Sequence, residues 1–117
     1  MRNQVQPQKL LSLVSAAIAL AFAANAFAAV DEDAAKALAR ENNCFKCHSV
    51  SKDKDGPAYK KVAEKYRGKP EAESKLIHHI TSGEMAKFPD GHEEEHKIIN
   101  TKDKAQIKNL IDWILAQ

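Results

Sequence analysis

Apolar positions recur at helical spacing in four stretches of this chain, and nowhere do they alternate as in a half-buried strand. The clearest stretch is the last, where Ile107, Leu110, Ile111, Ile114 and Leu115 share one face behind Asp103, with Gln106 three residues on, as at a capped helix start. Glu71 to Ser82 predicts a second helix, with Ala72, Leu76, Ile77 and Ile80 inward and Gly83 closing it. Towards the front, Ala35, Leu38 and Ala39 share a face of a helix that Asp31 and Asp33 can cap and that runs to about Asn42. A shorter segment, AYKKVAEKY, opens behind Pro57, which sits where a first helical residue often sits, and ends near Arg67-Gly68. From Glu84 to Thr101 the period is lost among Pro89, Asp90-Gly91 and the run Glu93 to Glu95, which predicts a loop with at most one helical turn. The expected fold class is all-α.

Ahead of these helices lies a segment of another kind. It has two positive charges, Arg2 and Lys9, an apolar run from Leu10 to Ala24, and no acidic residue before Asp31. That is the pattern of a secretory signal peptide, and Ala26-Phe27-Ala28 fits the small-x-small cleavage site. The expectation is a signal peptide over 1–28 and a mature domain over 29–117. An uncleaved membrane anchor is the alternative, although Ser12, Ser15 and Asn25 interrupt the apolar run.

Removing the leader changes the charge balance. The whole chain has 18 basic and 16 acidic residues, and Arg2 and Lys9 supply the excess. A formally neutral mature chain gives no footing for nucleic-acid binding. At roughly 90 residues it forms one domain with a modest core, a size that often needs a metal, a disulfide or a cofactor for stability.

Two cysteines in an exported protein would ordinarily suggest a disulfide. Here they are three positions apart in Cys44-Phe45-Lys46-Cys47-His48, the C-x-x-C-H signature of covalent haem attachment. The spacing suits two thiols adding to the two vinyl groups on one porphyrin edge, with the adjacent histidine turned under the iron as proximal ligand. A thioredoxin-like site would want a βαβ setting, and no strand is visible. A zinc site from the two cysteines with His92 and His96 is the more serious rival, but Cys47 and His92 lie much further apart than the roughly 12 to 15 residues of a zinc finger. A plain disulfide would leave His48 without a role.

With these motifs in view, the sequence resembles the small class I c-type cytochromes of bacterial periplasms over essentially all of 29–117. The resemblance is carried by ALARENNCFKCHSV, GPAYKKVAEKY, KLIHHITSG and AQIKNLIDWILAQ. It implies a small single-domain cytochrome c fold, about four helices packed around one covalently bound haem c, with Cys44, Cys47, His48 and Pro57 as cofactor-binding residues. In that family the proline carbonyl accepts a hydrogen bond from the proximal histidine, and Gly56-Pro57 stands at the matching distance from His48. One departure stands out. The family usually supplies a distal methionine from a proline-rich loop before the last helix, and no such methionine is present. Counted back from Trp113, which resembles the family's terminal-helix tryptophan, the ligand slot falls on His96, so the expected metal ligands are His48 and His96. Met85, His92 and an open distal position remain as alternatives.

The resemblance implies a one-electron carrier rather than an enzyme, periplasmic and working as a monomer with redox partner proteins; the exchange of a thioether for imidazole lowers the expected potential. It implies no nucleic acid, and no membrane unless the leader stays as an anchor. A haem-based gas sensor or small catalytic haem protein with a labile or open distal site is the alternative, and an electron-entry subunit of a larger enzyme is a third. His78 and His79 read as surface or boundary residues, one of them near the haem edge. Glu93, Glu94 and Glu95 read as a solvated face. Lys46, Lys52, Lys54, Lys60 and Lys61 cluster around the attachment motif, where they would solubilise the chain or steer acidic partners.

Overall fold

The computed structural model describes residues 29–117, and the expected signal peptide lies outside the described residues. Four helices form where the apolar periodicity puts them: α1 (Glu32–Glu41), α2 (Tyr59–Tyr66), α3 (Ala72–Thr81) and α4 (Lys104–Leu115), with one 3-10 turn at Cys44–Lys46. Of the aspartates predicted as caps, Asp31 and Asp103 cap their helices, while Asp33 lies inside the first turn of α1. Asp31 accepts the Ala34 N–H at 2.9 Å, and Asp103 accepts the N–H groups of Ala105 and Gln106 at 2.9 and 3.3 Å. Each supplies an acceptor for donors that have no partner within the helix, a contribution of about 1 kcal/mol.

α1 packs on α4, and this pair forms the centre of the core. Ala35, Leu38 and Ala39 meet Leu110, Ile111, Trp113 and Ile114, all of them buried. Small side chains on α1 let the two backbones approach, while the branched residues and tryptophan of α4 fill the space. A reciprocal clamp fixes the open end of the crossing: Asn109 accepts the Asp31 N–H at 2.9 Å and donates to the Asp31 carbonyl at 2.8 Å. α3 is tied to α4 at the surface by Lys108, which pairs with Glu73 at 3.2 Å and Asp112 at 2.9 Å.

Two expectations need correction. Pro57 is not the first helical residue. α2 begins at Tyr59 with Ala58 as its N-cap residue, and the Ala58 N–H is taken by Asp53 at 2.9 Å. Pro57 stays outside the helix, which frees its carbonyl for another partner. The stretch after Gly83 is also more than a loop. Met85–Lys87 (β1) and Glu93–Glu95 (β2) pair antiparallel, with Met85 opposite Glu95 and Lys87 opposite Glu93. Phe88 donates to the His92 carbonyl at 2.8 Å across the turn, and Gly91 takes a φ of 94° that other residues avoid. β2 is exposed throughout, and in β1 only the small Ala86 turns inward between Met85 and Lys87, so no apolar-polar alternation marks the hairpin in the sequence. Among the described residues, no helix is long and apolar enough to cross a membrane.

Candidate haem site

A cavity of about 1070 Å³ lies between α2, α3, the inner face of α4 and the segments 42–48 and 84–99, with Leu110, Ile111 and Ile114 of α4 in its lining. It is slightly larger than the range usual for ligand and cofactor pockets, about 300 to 1000 Å³. Cys44, Cys47, His48 and Pro57 line one wall; His96, His79 and Ile80 line another. The residues singled out in the sequence therefore meet at one place, although 48 and 96 are far apart along the chain.

The wall holding the cysteines is built locally. Asn43 takes a left-handed conformation, φ 56°, which turns the chain out of α1 and into the 3-10 turn bearing Cys44. His48 donates its backbone N–H to the Cys44 carbonyl at 2.9 Å, and Gly56 donates to the Cys47 carbonyl at 2.7 Å, so the motif and the Gly-Pro segment hold each other. The His48 ring then donates Nδ1–H to the Pro57 carbonyl at 2.7 Å, which leaves Nε2 to face the cavity with its lone pair. Gly56 has to be glycine here: a Cβ at that position would stand 2.5 Å from Cε1 of the same ring. Tyr59, buried at the start of α2, stacks on His48 with ring centres 5.0 Å apart and planes 18° from parallel. Burial pushes the His48 imidazole below its ordinary pKa, so the neutral form needed of a metal ligand is favoured. Both thiols are free and half-buried, and burial raises the Cys44 pKa.

The opposite wall is assembled from distant pieces. His96 follows β2, half-buried, and its backbone N–H is accepted by the Glu84 carbonyl at 2.9 Å across the foot of the hairpin. Two residues further on, Ile98 packs within 3.2 Å of where a Gly83 side chain would lie, and Ile99 is bonded to the Ile80 carbonyl at 2.8 Å. Asn42, 2% exposed, accepts the Asn100 N–H at 2.9 Å and donates to the Leu38 carbonyl at 2.9 Å. It thereby fastens the His96 segment to the end of α1. The His96 ring donates Nδ1–H to the Lys97 carbonyl at 3.0 Å, and burial pushes its pKa below the ordinary value. Its Nε2 is left without a protein hydrogen bond among the described residues.

His48 and His96 face each other with ring centres 6.3 Å apart. Two imidazoles sharing one metal through nitrogens at about 2.0 Å each have ring centres roughly 6 Å apart. Two free thiols, a proximal imidazole with its second nitrogen satisfied, a second imidazole at ligation distance across an apolar cavity, and a glycine cradle under the first ring all fit a covalent haem. The other sequence candidates sit differently. Met85 stands on β1 in the cavity lining, but it is 56% exposed, whereas His96 is half-buried. His92 lies at the hairpin tip, outside the cavity lining, stacked on Phe88 at 4.3 Å, with its two ring nitrogens taken by Asp90 and Glu94. Of the lysines expected at this edge, Lys46 and Lys61 line the cavity, joined by Lys65, Lys75, Lys87 and Lys97. Lys61 is paired with Asp53, and Lys54 is held by the Phe45 carbonyl at 2.7 Å. Asn42, Tyr59 and Glu84 carried no signal in the sequence beyond polar or aromatic residues at helix ends, and His79, read there as a boundary residue, is a wall of the site.

Comparison with known proteins bears on the same region. The cytochrome c family model matches residues 32–117. The crystal structure of class 1 cytochrome MtoD from Sideroxydans lithotrophicus ES-1 superposes with a TM-score of 0.73 at 78% identity, over 75% of this chain and 97% of that one. Cytochrome c-551 of Allochromatium vinosum is 36% identical over 85 residues, covering 68% of this chain and 81% of the relative. Cytochrome c-551 of Pseudomonas aeruginosa is 32% identical over 113 residues, covering 97% of this chain and 99% of the relative.

Proposed function

Because this chain belongs to the cytochrome c family, as a small class I c-type cytochrome with one covalent haem c, we propose that it is a periplasmic, low-potential, bis-histidine carrier of single electrons. Electron carriage by one haem comes with the family; the ligand pair, the potential and the compartment are our reading. The haem supplies a one-electron Fe(III)/Fe(II) couple. The Cys44 and Cys47 sulfurs would attach it, His48 Nε2 would bind its iron, and the Pro57 carbonyl fixes the tautomer that leaves that nitrogen free.

The observation that carries the reading is the pair of facing imidazoles, 6.3 Å apart, each with Nδ1 satisfied by a backbone carbonyl. With His48 and His96 both bound, the iron would have no open position for a substrate, which suits an electron carrier rather than a catalyst. A nitrogen donor in place of a thioether favours Fe(III) and lowers the potential relative to methionine-ligated relatives; axial ligands span about 0.8 V across haem proteins. The ferric holoprotein is expected to lack the weak near-infrared band of sulfur-to-iron ligation and to titrate below methionine-ligated class I cytochromes under identical conditions. A sulfur-to-iron band that disappears in Met85→Ala would overturn the ligand pair.

Export rests on the leader. The alignment with the Pseudomonas relative extends over 97% of this chain, which takes in most of 1–28 and supports a shared leader. Cleavage after Ala28 predicts that the periplasmic holoprotein has the mass of 29–117 plus one haem; a membrane-bound product retaining Met1 would refute it.

A further inference from the structure

The two facing imidazoles are not held alike. The His48 ring is fixed from outside its own segment, by the Pro57 carbonyl and by Tyr59 stacked against it. The His96 ring bonds only to the carbonyl of Lys97, its own neighbour in an exposed stretch, a bond that moves with the segment. The plane of His96 therefore needs a second restraint, and the wall beside it supplies one.

His79, in the last turn of α3, lies against His96 with ring centres 4.0 Å apart and planes inclined by 41°. Its Nδ1–H donates to Glu84 Oε1 at 2.6 Å, and Glu84 Oε2 is 3.3 Å from Nε2 of His78. The His79 hydrogen bond holds the Glu84 carboxyl below the usual carboxylate range, so the anion persists. Glu84 is itself fixed: it follows Gly83, whose φ of 70° turns the chain out of α3, and its N–H donates to the Ser82 hydroxyl at 3.1 Å. The same residue accepts the His96 N–H through its backbone carbonyl at 2.9 Å. Glu84 thus grips His96 directly at the backbone and, through His79, at the ring.

We propose that His79, anchored by Glu84, is a positioning residue that fixes the plane of the His96 imidazole, as Tyr59 fixes that of His48. The proposal rests on the reading of His96 as the distal ligand. Its chemical consequence is electronic. The angle between two axial imidazole planes sets how the iron d orbitals split, and the His48 and His96 planes are inclined by 51°. A ring held at one angle also keeps ligand rearrangement small when the iron changes charge.

The test is frozen-solution EPR of the ferric holoprotein, with near-infrared spectra on the same samples. In His79→Ala the largest g feature should shift and broaden, because His96 samples a range of angles, while the near-infrared signature stays that of two nitrogen ligands. His79→Phe keeps a flat ring against His96 without the Glu84 bond and should fall between wild type and His79→Ala. Glu84→Gln keeps an acceptor and should stay close to wild type; Glu84→Ala should broaden the signal with His79 still in place, and it serves as the test if His79→Ala yields no holoprotein. A wild-type-like g feature in both His79→Ala and Glu84→Ala, with two-nitrogen ligation intact, overturns the proposal alone. A sulfur-to-iron band in wild type overturns the ligand reading beneath it.

Discussion

The two walls of the cavity are made by opposite strategies. The proximal wall comes from neighbours in sequence: Asn43 to His48 form one turn, Gly56-Pro57 closes on it through two hydrogen bonds, and Tyr59 stacks on the result. The distal wall joins the end of α3, a two-stranded hairpin, the segment from His96 to Asn100 and a buried asparagine on α1. A local wall can present its ligand once a few backbone bonds form. A wall collected from four elements presents its imidazole only when the whole domain is folded. The proximal side is therefore expected to be sensitive to chemistry and sterics at single atoms, and the distal side to ties between elements.

Removing covalent attachment should have the largest effect. Cys44→Ala with Cys47→Ala is expected to abolish haem retention under acid-acetone extraction, and the apoprotein, with a cavity of about 1070 Å³ through its centre, should lose its cooperative thermal transition. A cooperatively melting, haem-free double variant would mean that the helices stand without the group they enclose.

Next come the two walls set against each other. Gly56→Ala pushes a methyl to within 2.5 Å of the His48 ring, a clash against a ring held by Pro57 and Tyr59, and should cost about 1 to 3 kcal/mol in denaturant unfolding together with a changed ferric spectrum. Asn42→Ala leaves the Asn100 N–H without its acceptor and should cost about 1 to 3 kcal/mol as well, but through the tie between α1 and the His96 segment. Amide exchange should separate the two: the asparagine variant should lose protection at Ile99 and Asn100, the glycine variant at His48 and Gly56. Equal loss of protection on both walls in either variant would show that they unfold as one unit.

This division also explains what could be read from the sequence. Four helices, two aspartate caps and the α1 and α4 core faces follow from spacing and cap chemistry, because each is decided within a dozen residues. Cys44, Cys47 and His48 are legible for the same reason. His96 is singled out only through resemblance, by counting back from Trp113, since the H-x-x-x-H spacing of HEEEHKIIN offers His92 and His96 alike. The hairpin leaves no trace in the sequence because its strands are largely exposed and held by backbone bonds, which require no hydrophobic alternation. Asn42, Glu84 and the place of His79 depend on partners far away in the chain, and local pattern has no access to them.

Glycines give a smaller contrast within the distal side. Gly91 has nothing within 4 Å of where a Cβ would be, so Gly91→Ala meets no clash and pays only for its left-handed φ of 94°, about 1 kcal/mol. The loss should fall on the hairpin, with the His48 environment unchanged in NMR spectra.

The smallest expected effect is the pH response of the hairpin tip. His92 bridges Asp90 and Glu94, and the hydrogen bond to Asp90 raises its pKa above the ordinary value, with Glu94 adding to the shift. Both carboxylates belong to the same turn and strand, and Asp90 is correspondingly held below its usual range by the His92 bonds. A group whose folded pKa is raised stabilises the fold fully below its unfolded pKa, about 6.5 for histidine, and that contribution fades as the pH rises through the higher folded value. The hairpin should therefore be best ordered in mildly acidic solution, and its amide protection should decline above neutral pH while that of the proximal wall does not. His92→Gln should flatten the response, leaving protection of Phe88 and Gly91 independent of pH. If the wild-type hairpin instead tightens on going from pH 6 to pH 8, the ion pairs at the tip are not what holds the turn, and the backbone bonds between Phe88 and His92 carry it alone.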